Sequence, residues 1–153
     1  MTSSPTYFQF EADFVKDWRC IPMSVRMKLD TCGLKLKLVH WNQFEASERQ
    51  ALVDMPCTTE ADIETYRQQV RQFAIARTDI PVKDLPVDPA PAWSNGDVIP
   101  ESVLEKAHSE GTTIAVAQWQ TLSPLQRFAL IKLSCPSHEN SNFLPALAEF
   151  QID

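Results

Sequence analysis

Four cysteines, Cys20, Cys32, Cys57 and Cys135, are the side chains of this sequence best suited to carry chemistry. Thiolates ligate soft metals and exchange electrons. Cys20, Cys32 and Cys57 are the set that would form a shared metal or cluster site. Their spacings are long and irregular, and the sequence has no Cys-x-x-Cys pair of the kind structural zinc sites use. Free cysteine is also among the most buried residue types, so the reading adopted is core packing with no bound metal. Arg19 stands beside Cys20, and a neighbouring cation lowers a thiol pKa. The same run, Arg19-Cys20-Ile21-Pro22-Met23, reads as an ordinary helix entry. A second cluster is Ser137-His138-Glu139-Asn140-Ser141-Asn142. His138 and Glu139 have the types of an acid/base pair. Ser137, Asn140 and Asn142 have the types that cap a helix start. Both uses stay open, and Arg19, Cys20, Ser137, His138, Glu139, Asn140 and Asn142 are the candidate partner-binding residues.

Other chemistries find no support. The chain has three isolated glycines, Gly33, Gly96 and Gly111, too few for a phosphate-cradling loop. His40, His108 and His138 form no helical metal motif, and no Gly-x-Ser-x-Gly turn exists. No catalytic residues are assigned, a non-enzyme is expected, and no cofactor of its own is implied.

The elements that must position these residues come from an internal repeat. A shift of 78 positions aligns Ile21-Pro22 with Ile99-Pro100, Ser24-Val25 with Ser102-Val103, Lys28 with Lys106, and Gly33 with Gly111. It also aligns Trp41 with Trp119, Arg49 with Arg127, Ala51-Leu52 with Ala129-Leu130, and Cys57 with Cys135. Eleven of the 37 positions from 21 to 57 are identical. Each copy predicts a helix opened by proline (Pro22 to about Thr31, Pro100 to about Ser109) and closed by a left-handed glycine. Period-two runs follow, Leu34–Leu38 and Thr113–Val116. They read as short strands able to pair with each other across a pseudo-twofold, or as extended linkers or helix starting early. A second helix follows Trp41 (Ala46 to Met55) and Trp119. The later one opens on the capping box Ser123-Pro124-Leu125-Gln126 and is the more apolar, so the first is expected to be less buried. A third helix is predicted from Thr59 to about Ala76, with Ile63, Tyr66, Val70 and Phe73 on one face, and a last one from about Asn142 to Phe150. The expected fold is mainly α, two duplicated helical units (about 18–76 and 97–152) in one domain, with a short two-stranded ribbon. A proline-rich stretch, 78–97, joins them and is expected to lie against the surface through Val82, Leu85, Val87 and Trp93.

Bulk properties bound the partners. With 44% hydrophobic and 22% charged residues, the chain can bury a core. No run of about 18 apolar residues is present, so no membrane span is expected; the start shows no secretory pattern, and a reducing, cytoplasmic setting follows. Net charge is −6. Residues 1–78 hold ten cations and ten carboxylates; residues 79–153 hold four and ten. Such a balance argues against nucleic acid and suits either plain solubility or a basic protein partner.

Three runs carry a family resemblance: Phe8-Gln-Phe-Glu-Ala-Asp-Phe14, Arg19-Cys-Ile-Pro-Met23 and Lys28-Leu-Asp-Thr-Cys-Gly33. Asp84-Leu-Pro-Val-Asp88, Leu125 to Leu133, Ser137-His-Glu-Asn140 and Asn142-Phe143 agree with them. Together they resemble the cyanobacterial nitrate reductase-associated protein family, from about Phe8 to Phe150. The resemblance implies a non-catalytic factor for assembly or maturation of a nitrate reductase that holds molybdenum cofactor and an iron–sulfur cluster. Its implied partners are the apo-reductase and molybdenum-cofactor biosynthesis proteins. It supplies no catalytic residues. A small metal or redox carrier using Cys20, Cys32 and Cys57 is the alternative.

Overall fold

The computed structural model describes residues 8–11, 21–135 and 142–152. The chain divides into two compact units, Met1–Asp88 and Pro89–Asp153. Both are built of helices, and one short ribbon is found among the described residues.

The first unit holds a 3-10 turn (Gln9–Glu11), α1 (Met23–Cys32), β1 (Leu34–Lys35), α2 (Leu38–Gln43), α3 (Ala46–Asp54), α4 (Glu60–Arg77) and β2 (Lys83–Asp84). Pro22 is the extended residue that precedes α1 (φ −61°, ψ 151°), one position earlier than expected of it. Its missing N–H falls where a helix has no partner for one anyway. Gly33 ends α1 at φ 76°, and its N–H donates to Leu29 O at 2.9 Å. Only glycine takes that backbone shape without cost. Thr59 Oγ1 accepts the Asp62 N–H at 3.1 Å and so starts α4 where the sequence places it. The face of α4 that meets the core carries Tyr66, Val70 and Ala74, all fully buried, with Ile63 and Phe73 at its margin. Trp41, Leu52, Val25 and Leu29 complete that core. Each such side chain removed from water is worth about 1.5–3 kcal/mol.

The second unit holds a 3-10 turn (Ala92–Ser94), α5 (Glu101–Ser109), α6 (Val116–Thr121), α7 (Pro124–Ser134) and α8 (Phe143–Glu149). The capping box at the start of α7 forms in both directions: Gln126 N–H to Ser123 Oγ at 3.2 Å and Ser123 N–H to Gln126 Oε1 at 2.9 Å. Phe128, Ala129, Leu130 and Leu133 of α7 are fully buried with Trp119, Val103 and Phe143. In α3 only Leu52 and Val53 are buried, in line with its more polar sequence. Gly111 is left-handed at φ 77°, and the Thr112 N–H reaches back to Ala107 O at 2.9 Å. This six-to-one bond closes α5 differently from the single bond that closes α1.

One expectation is overturned. The ribbon does not join 34–38 to 113–116. β1 pairs antiparallel with β2, Leu34 opposite Asp84 and Lys35 opposite Lys83. Two-residue strands persist only where a neighbour completes their hydrogen bonds. In the first unit the chain after α4 supplies that neighbour, and Leu85 N–H also donates to Gly33 O at 2.7 Å. Residues 112–115 are extended without a strand, and helix begins at Val116. Leu38 likewise opens α2 and is not strand.

The proline-rich stretch is shared between the units. Val87 lies on Gly33 in the first. In the second, Trp93 meets the Phe128 ring edge-on at 5.1 Å, and Trp119 Nε1 donates to Asn95 O at 3.0 Å.

Candidate functional site

The first unit has a polar centre made by α1. Lys28 Nζ donates to Val53 O and Met55 O, both at 2.7 Å. These carbonyls end α3, where a helix leaves acceptors unsatisfied and favours a positive charge. The same ammonium stands 5.8 Å from the Tyr66 ring centre, and the Tyr66 hydroxyl donates to Leu52 O at 2.8 Å. Cys57 Sγ turns to Lys28 O at 3.7 Å, and Cys32 Sγ to Leu29 O at 3.5 Å. Both thiols therefore face α1 at consecutive carbonyls. Burial pushes the Cys32 thiol up to about 12. Burial also raises Cys57, with Lys28 opposing it, and lowers Lys28 itself. Thiols held in their protonated form are poor nucleophiles and poor metal ligands at neutral pH.

Of the expected cysteine set, Cys32 and Cys57 thus share one neighbourhood, while Cys20 lies outside the described residues. Among the described residues no group of three or more His, Cys, Asp or Glu side chains could hold a metal. Cys135 aligns with Cys57 in sequence but not in environment. It is exposed and donates to Ile131 O in its own helix at 3.4 Å. A shared packing role for these two cysteines does not hold, because α7 runs on to Ser134 where α3 has stopped.

Arg19, Ser137, His138, Glu139 and Asn140 lie outside the described residues. Asn142 is half-buried and precedes α8, with no side-chain bond to the helix start.

Three buried polar side chains were not singled out by the sequence. Glu11 is 1% exposed, and its carboxylate accepts the N–H groups of Phe8 and Met23, each at 3.1 Å. It places negative charge on the first turn of α1 from twelve residues away, a link with no local sequence signal. His40 is fully buried; Nδ1 accepts the Lys37 N–H at 3.1 Å, so Nε2 carries the proton and donates to Ile80 O at 2.9 Å. Arg127 is 8% exposed and donates to Trp119 O (3.1 Å), Gln120 O (3.3 Å) and Trp93 O (3.1 Å). Its identity with Arg49 was the available clue, since Arg49 donates to Trp41 O and Asn42 O at the same offset. The capping contact of His40 recurs as well: Gln118 Oε1 accepts the Ala115 N–H at 2.8 Å. All three side chains are turned to backbone groups, which is how buried polarity is satisfied in a scaffold.

The surface is where the units offer free chemistry. In the second unit Lys106 pairs with Glu110 at 2.8 Å, Lys132 lies over the Phe128 ring at 5.3 Å, and Arg127 is buried. Glu101 and Glu105 of α5 are exposed. Among the described residues no helix is long and apolar enough to cross a membrane.

Residues 7–150 match the family model described as conserved nitrate reductase-associated protein. Comparison with curated proteins and with solved structures returned no match. A match over nearly the whole length settles the affiliation: the chain belongs to the conserved nitrate reductase-associated protein family.

Proposed function

We propose that this chain is a non-catalytic accessory factor that binds the apo form of a molybdenum-cofactor nitrate reductase and assists its assembly or maturation in the cytoplasm. The family match carries the proposal, since it ties the chain to nitrate reductase. The disposition of the buried polar groups supports it. Glu11, His40, Arg127 and Lys28 bond to main-chain N–H and C=O groups of their own unit and so stabilise a scaffold. The matching α1/α5, α2/α6 and α3/α7 starts, each 78 residues apart, support a common ancestral unit for the two halves. Arg19, Cys20, Ser137, His138, Glu139, Asn140 and Asn142 remain candidate partner contacts within this reading. The alternative, a carrier using Cys20, Cys32 and Cys57, draws less support, because burial holds two of the three thiols protonated.

The test is retention of apo-reductase by the immobilised chain, with cofactor content of the reductase measured in a strain lacking the chain. Retention of the apo form over the cofactor-loaded form, and cofactor-poor reductase in the deletion strain, are the expected results. Normal cofactor loading without the chain would overturn the maturation role.

A further inference from the structure

We infer that the outer face of the β1–β2 ribbon is a docking surface for an extended partner segment that carries aspartate or glutamate beside an apolar side chain. The inference rests on the accessory reading above and names the surface through which it would act.

The register sets Lys35 directly opposite Lys83. Their Cβ atoms are then about 5 Å apart, and like charges facing each other across strands destabilise a ribbon. Strand alternation turns both lysines outward. On the inner face Leu34 is 1% exposed, and Asp84 opposite it is bonded to Arg71 of α4. Lys35, Lys83 and Lys37, two residues further on, are all exposed. Among the described residues none of the three pairs with a carboxylate. The one acid of the ribbon, Asp84, is taken up by Arg71. A carboxylate laid between the two ammonium groups relieves their repulsion.

Backbone contacts place an apolar strip beside these charges. Leu85 N–H donates to Gly33 O at 2.7 Å, so the register runs on and Leu85 follows Lys83 on the outer face. A Cβ on Gly33 would touch Val87 Cγ2, so Val87 lies over that glycine. Leu85 is 38% and Val87 49% exposed. Unpaired cations and exposed aliphatic side chains thus share one face of one ribbon.

The second unit shows that the scaffold does not require these lysines. Shifted by 78 residues, Lys35 falls on Thr113 and Lys37 on Ala115, both exposed, and the segment still leads from Gly111 into α6. It pairs with no strand among the described residues, and a Cβ at Gly111 meets nothing within 4 Å. The lysine pair and its aliphatic strip are therefore additions to the shared frame. Nucleic acid is the poorer occupant, because phosphates call for a broad cationic face and the chain carries −6 overall. A short protein segment with a carboxylate and an aliphatic side chain matches both the charge and the strip.

The experiment titrates the isotope-labelled full chain with a short synthetic peptide of alternating glutamate and leucine, with its lysine–leucine counterpart, and with a single-stranded oligonucleotide. Backbone amide shifts should concentrate at Lys35, Lys83, Leu85 and Val87 with the acidic peptide only. K35E/K83E should weaken binding by about tenfold or more, with L85S weakening it independently, while K106Q in the second unit should leave it unchanged. Thermal melts of each variant establish that it is folded. K35Q/K83Q, which removes the repulsion between the strands, serves in place of K35E/K83E if the glutamates unfold the ribbon. Shifts centred elsewhere, equal binding by the lysine-free variant, or tighter binding of the oligonucleotide at the same footprint would overturn the inference. The same variants in the reductase retention assay separate the two proposals. No retention of reductase by the wild-type chain, with the ribbon footprint intact, removes the named partner and keeps the surface. Equal retention by wild type and K35E/K83E keeps the partner and removes the surface.

Discussion

The two units start their first three helices at corresponding residues, yet they spend their polar side chains differently. In the first unit α3 ends at Asp54, and Lys28 reaches across from α1 to hold its last carbonyls. In the second, α7 continues to Ser134, whose hydroxyl donates to Ile131 O at 2.7 Å and accepts from Ser102 Oγ at 3.1 Å. Lys106, freed from that task, pairs with Glu110 on the surface. The position of Ser134 is Pro56 in the first unit, and there the buried Ser24 Oγ has no hydrogen-bond partner among the described residues. One local change, where a helix stops, thus reassigns a lysine, a serine and a cysteine. Identity at an aligned position carries over the fold of the backbone, not the contact of the side chain.

The glycines give the largest contrast. A Cβ at Gly33 would stand 2.7 Å from Val87 Cγ2 and 2.8 Å from Leu85 O; at Gly111 it would meet nothing within 4 Å. Both residues are left-handed. Gly111→Ala should cost about 1 kcal/mol, the left-handed penalty alone. Gly33→Ala adds overpacking against backbone and should cost about 3 kcal/mol or more. Urea unfolding of the two variants measures this, and equal losses would mean that Val87 and Leu85 move aside easily.

The arginines come next. Arg127→Ala leaves three carbonyls of a buried site without a donor and should cost about 3 kcal/mol. Arg49 is half-buried, serves one carbonyl of buried Trp41 and one of exposed Asn42, and should cost about 1 kcal/mol as alanine. Arg127→Lys should recover little, because one ammonium cannot span acceptors that the planar fork reaches together. Full recovery by lysine would show that charge, rather than the fork, is what the site needs.

Much of this frame was readable beforehand. Proline and glycine punctuation, the Thr59 and Ser123 caps and the period of α4 act within a few residues, so local sequence reports them. Glu11 on Met23, His40 on Ile80 and β1 on β2 join residues far apart in the chain, and no local pattern encodes such a pairing. The candidate partner contacts came from residue types alone, and all but Asn142 lie outside the described residues.

Lysine substitution sharpens the same contrast at smaller amplitude. Lys28→Met strips the end of α3 of its donor and charge and should cost about 2 kcal/mol. Lys106→Met removes a half-buried i,i+4 pair that holds no carbonyl of another helix and should cost about 0.5 kcal/mol. Comparable losses would show that Lys106 holds more of the second unit than its ion pair with Glu110 implies.

The last contrast is absent at neutral pH and appears in alkali. In the unfolded chain the Cys32 thiol ionises near the ordinary value of 9.0, whereas in the folded unit burial holds it protonated to about 12. Between those values the unfolded state binds fewer protons than the folded state, so stability falls as pH rises, by up to about 1.4 kcal/mol per pH unit. Tyr66, also raised by burial, adds to the fall above its ordinary 10.0. Lys28 opposes it: its pKa is lowered below 10.5, so the folded state sheds that proton first and gains as pH approaches 10.5. Cys32→Ala should be the less stable protein at pH 8 but lose less above pH 9, so the two stability curves converge. Denaturant midpoints across this pH range decide the matter. If the Cys32→Ala curve stays parallel to the wild type, the protonated, packed state assigned to Cys32 is wrong.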